Sequence, residues 1–72
     1  MTKLEQAAVN ALADLVGEYE SGGLPTPAQR TLVELYEALN TEGSFDAREQ
    51  AASYFSDVER VRENLEDELG ED

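Results

Sequence analysis

No cysteine and no histidine occur in this chain of 72 residues. Without thiols there can be neither a disulfide framework nor a thiolate metal site. Without imidazole the commonest general base, proton shuttle and transition-metal ligand is missing, so Ser44, Ser53 and Ser56 have no base to activate them. Basic side chains are scarce as well: five Lys and Arg stand against 17 Asp and Glu, a net charge of −12 with a pI near 4.1. Such a surface repels nucleic acid and anionic lipid and attracts basic protein. Long apolar runs are absent, and Met1 leads directly into Thr2-Lys3-Leu4-Glu5. Neither a signal peptide nor a membrane span is expected, and the chain reads as cytoplasmic. Gly22-Gly23 has no Lys after it, so it is a connection and not a phosphate cradle.

What remains is helical signal in a length that allows one domain. Thr2-Lys3-Leu4-Glu5 has the letters of a capping box, and Leu4, Ala8, Ala11, Leu12, Leu15 and Tyr19 recur at helical spacing. The first helix is expected over 3–20, weakened by Gly17 and stopped by Ser21-Gly22-Gly23. Thr26-Pro27-Ala28-Gln29 combines an expected N-cap Thr with Pro and Gln at the next positions. It starts a second helix over 27–40, which carries Leu32, Val33, Leu35, Tyr36 and Leu39 inward. The short linker implies an antiparallel hairpin.

The third segment, Asp46 to Leu69, has no Gly or Pro between its ends. Ala51, Val58 and Leu65 lie seven apart, with Tyr54 or Phe55, Val61 and Leu69 on alternate turns. The spacing predicts one helix over 46–69. A second capping signal, Ser56-Asp57-Val58-Glu59, marks 55–57 as the place where it would break in two. The expected architecture is all-α: a three-helix bundle over residues 1–69, followed by a disordered acidic tail over 70–72.

Half of the net charge falls in residues 56–72, where eight acids face only Arg60 and Arg62. Acids crowd the end of the last helix, where the macrodipole prefers cations, and only Arg62 opposite Glu66 is expected to offset them. Asp57, Glu59, Glu63, Glu66 and Asp67 are the candidate partner-binding residues. Along a helix they would imitate part of a phosphate backbone. Their expected places on wet helix faces give no reason for a raised pKa, and Asn40 to Glu49 misses the spacing of a calcium loop. No catalytic residue, metal site or cofactor is expected.

A resemblance supplies a second reading. Pro27, Gln29, Arg30 and Leu35, then Ala47, Arg48, Glu49 and Ala51, then Val61, Arg62 and Leu65 resemble the helix-turn-helix domains of sigma-factor region 4 and winged-helix regulators. It covers residues 24–69 and implies a DNA-reading last helix. The carboxylates on that helix carry the sign of the phosphates they would face. The expected function is therefore a non-enzymatic acidic interaction module that inhibits or sequesters a basic nucleic-acid-binding partner, in the manner of small phage-encoded anti-defence or regulatory proteins. A helix-turn-helix transcriptional regulator, and a small structural domain made acidic by high-salt adaptation, are the alternatives. A homodimer through the third helix is compatible with any of these.

Overall fold

Four α-helices follow one another, with no strand among the described residues: α1 (Lys3–Glu20), α2 (Thr26–Glu42), α3 (Phe45–Ala52) and α4 (Phe55–Leu69). The computed structural model describes the backbone of residues 1–69 and the side chains of 1–67; the acidic tail expected over 70–72 lies outside the described residues.

The start of α1 is the capping box its letters promise. Thr2 Oγ1 accepts the Glu5 amide at 3.1 Å while Glu5 Oε1 accepts the Thr2 amide at 3.0 Å. Its end is a Schellman turn. Gly22 sits at φ +84°, where a β-carbon is costly, its amide donates to the Tyr19 carbonyl, and the Gly23 amide donates to that of Glu18. Carbonyls that the helix would leave bare are thereby satisfied.

The second helix starts one residue earlier than expected and is capped differently. Pro25 occupies the N-cap without a side-chain bond, and Thr26 is already helical. Gln29, expected to serve the cap, is buried. Its amide donates to the Leu24 carbonyl at 2.9 Å and accepts from Asn64 Nδ2 at 2.9 Å. One side chain thus ties the linker, α2 and α4 together.

The third segment departs most from expectation: 46–69 is two helices, not one, so the bundle has four helices instead of three. The backbone tightens at Ser53 and Tyr54, whose amides reach the Gln50 and Ala51 carbonyls, and the Ser53 hydroxyl also donates to Gln50 at 2.6 Å. A side-chain hydroxyl has replaced part of the helical ladder. Geometry supplies the reason. A straight helix over 46–69 would run about 36 Å, against about 27 Å for α1, and would overhang the hairpin it has to cover. Bending lets Ala47 and Ala51 of α3 and Val58, Val61 and Leu65 of α4 all reach the core. The seven-residue repeat gives no warning of this, because Ala51 and Val58 are fully buried on either side of the break.

The α1–α2 hairpin forms one side of the core, and α3 and α4 cover it. Leu12, Leu32, Val58 and Val61 are the large side chains sealed at its centre. At the α2–α3 corner Gly43 has an extended backbone, φ −75° and ψ 160°, open to any residue, yet a β-carbon there would lie 2.5 Å from the Leu39 carbonyl oxygen and 3.1 Å from Ala47 Cβ. Space, not torsion, requires glycine here.

Two glycine substitutions should therefore move stability in opposite directions. Gly43→Ala is expected to destabilise by about 1–3 kcal/mol, the usual cost of overpacking. Gly17→Ala meets nothing within 4 Å and should stabilise α1 by about 0.5–1 kcal/mol. Urea unfolding followed by circular dichroism measures both; a neutral Gly43→Ala would refute the close approach at the corner.

Candidate functional site

The candidate acids divide into two groups. Glu63, Glu66 and Asp67 are exposed on α4, and none has an ion-pair partner among the described residues. Helical spacing puts them on the side away from Val58, Val61 and Leu65, so the core that fixes those three apolar residues also fixes the acids outward. They are three and four residues apart, which brings Glu63 beside both Glu66 and Asp67.

Asp57 and Glu59 belong elsewhere. The Asp57 side chain is only 19% exposed, lies 3.7 Å from Arg60, and turns towards Glu20 at the end of α1. Glu59 accepts from Arg62 Nη1 at 2.8 Å, while Arg62 Nη2 reaches across to Glu37 on α2 at 2.6 Å. Arg62 had been expected opposite Glu66, one turn along; it forks backward and sideways instead. A planar guanidinium suits this, since its two ends can hold two carboxylates at once. The partner on α2 could not be found from sequence, because Glu37 lies 25 residues away.

Two acids outside the candidate set have perturbed protonation. Asp57, by its carboxyl within hydrogen-bonding reach and by its charge, pushes the Glu20 carboxyl above its ordinary value, while Arg60 opposes the shift. Glu5 moves the other way. The backbone amides of Thr2 and Ser44 hold it below the ordinary carboxylate range, Ser44 N–H donating to Oε2 at 2.7 Å and the Ser44 hydroxyl to Oε1 at 3.1 Å. A single carboxylate thereby joins the start of α1 to the residue that caps α3.

Among the described residues no three acids converge in a way that could hold a metal ion, and no helix is long and apolar enough to cross a membrane. The apolar surface is more distinctive. Leu4, 80% exposed, overhangs a groove of about 300 Å³ between α1 and α2. Phe45 and Phe55 are exposed at the starts of α3 and α4, the latter with its ring 6.2 Å from that of Tyr36. Leu4 and Ala11 belong to the apolar series of α1 by spacing yet are exposed, because a period of 3.6 cannot tell the middle of an apolar face from its rim. Comparison with known proteins offers no relative: no family model, curated protein or solved structure matches the chain.

The Glu20–Asp57 contact has a pH signature. Because the folded state raises the Glu20 pKa, its ionised form opposes folding at neutral pH, and that opposition vanishes below the unfolded value near 4.5. Glu20→Gln should therefore raise the melting temperature at pH 7, give no gain at pH 3, and lose its effect in an Asp57→Asn background. Thermal melts of the four proteins at both pH values check this; an equal gain at pH 3 would dissociate the effect from charge.

Proposed function

We propose that this protein is a non-enzymatic interaction module of the cytoplasm that inhibits or sequesters a basic, nucleic-acid-binding protein, with the outward carboxylates of α4 taking the place of phosphates. The observation that carries this reading is the contrast within α4. Arg60 and Arg62 attend to Asp57 and Glu59 on the flanks, while Glu63, Glu66 and Asp67 meet solvent with no cation of their own among the described residues. Charge placed without an internal partner contributes nothing to the fold, and near a helix C-terminus it opposes the dipole. Its physical use is outward, in steering a cationic surface towards the protein and selecting it over neutral ones. From Glu63 to Glu66 and Asp67 the axial step is about 4.5–6 Å, against about 3.4 Å between phosphates along a DNA strand. The imitation is therefore sparse. Asp57 and Glu59, already held by arginines, contribute to the local field without being free to change partners.

The second reading, a helix-turn-helix regulator, draws support from one feature. The break at Ser53 and Tyr54 sets a short helix, a two-residue turn and a longer helix in the order that the resemblance implies. Against it stand the same three exposed carboxylates, which would have to approach a phosphate backbone.

Immobilised protein should retain at least one basic polypeptide from a host lysate and release it as salt rises from about 0.1 M, where the screening length is near 10 Å, towards 1 M. Glu63→Lys, Glu66→Lys and Asp67→Lys together should abolish that capture and leave the helical circular dichroism unchanged. Equal capture by the reversed protein rejects the acidic face. Retardation of mixed duplex DNA by the unaltered protein at low salt would favour the regulator instead.

A further inference from the structure

Between α1 and α2 lies an apolar groove that no described residue fills. Leu4 and Ala8 of α1 form one wall, Leu35, Ala38 and Leu39 of α2 the other, and Glu42, Gly43, Thr2 and Glu5 close one end. Only Leu39 of these apolar residues is fully buried; Leu4 and Ala38 face solvent, with Ala8 and Leu35 half-buried. An exposed leucine beside small residues is what a helix meets when another helix packs against it. The wall from Leu35 to Gly43 runs about 12 Å, two helical turns. At that length it takes apolar side chains at i and i+3 or i+4 of an incoming helix.

Charge decides what kind of helix that is. Glu42 lines the groove, Glu34 lies two turns back along α2 beside Leu35 at the other end of the wall, and neither has a cation among the described residues. Glu5 is already committed to Thr2 and Ser44. A second copy of this chain would bring another −12 to the contact, so electrostatics opposes self-pairing here.

We propose that the Leu4–Leu35–Ala38 groove is a docking site for an amphipathic helix of a partner protein, with an apolar stripe seated between α1 and α2 and flanking Lys or Arg side chains directed at Glu42 and Glu34. The groove shares the basic character of the partner with the reading given above but not its surface: no described residue of α4 lines it. Either can fail without the other. A partner that used both would be anchored by apolar burial on one side and steered by carboxylates on the other.

The test is an amide chemical-shift titration of the labelled protein with a synthetic 18-residue helical peptide carrying a Leu stripe flanked by Lys. The expected shifts concentrate at Leu4, Ala8, Leu35, Ala38 and Gly43. Leu4→Ser, at a site too exposed to affect folding, should weaken binding about tenfold with unchanged circular dichroism, as for the loss of one well-buried apolar anchor. Replacing Lys by Glu in the peptide should abolish binding. Reversal of Glu63, Glu66 and Asp67 should leave the groove shifts in place. Shifts confined to α4, an affinity indifferent to Leu4→Ser, or concentration-dependent dimerisation through the same residues each overturn the docking site.

Discussion

A thin apolar core has to hold together a chain whose charges push it apart. Among the described residues twelve buried apolar side chains, with Leu12, Leu32, Val58 and Val61 sealed at the centre, oppose a net charge of −12 on 72 residues. A chain this short buries a smaller share of its surface than a longer one does, so its margin is narrow and every polar connection between helices counts. Several such connections cross the sequence among the described residues. Glu5 joins the start of α1 to the cap of α3, Gln29 joins the linker to α4 through Asn64, and Arg62 joins α4 to α2. The last of these sets a cation against a carboxylate and so also reduces the repulsion.

Most of the fold could be read from the residues, for identifiable reasons. Local signals work at the ends of α1, because Thr2 with Glu5 and Gly22 with Gly23 act within a single turn. Apolar periodicity correctly placed Val58, Val61 and Leu65 inward. The break between α3 and α4 was read only as an alternative, and for the wrong residues. Ser56 and Asp57 suggested a cap, whereas Ser53 and Tyr54 make the turn. What decides it is the length of the hairpin that the segment must cover, and no short window of sequence contains that length. Gln29 shows the same limit: its letters suit a cap, yet tertiary packing takes it inward.

The candidate acids were legible as a group but not as individuals. Composition and helical spacing located the excess on α4, and three of the five residues do face outward without a cation among the described residues. The diversion of Asp57 towards Glu20 and of Glu59 to Arg62 depends on which helices lie alongside, a matter of tertiary arrangement. The groove at Leu4 went unseen for a related reason. Whether an apolar residue at the edge of a stripe is covered depends on how many neighbours the fold supplies, and here no described residue fills the groove beside Leu4.

The connection between α1 and α2 is two self-contained units placed end to end. Ser21 to Gly23 finish the first helix through bonds that return to Glu18 and Tyr19, and Leu24 begins the second by offering its carbonyl to Gln29. The peptide bond from Gly23 to Leu24 belongs to neither. Extra chain spliced in at that point would lengthen a joint without unfastening what it joins, which makes it the natural seam for a grafted epitope, a tether or a permuted terminus.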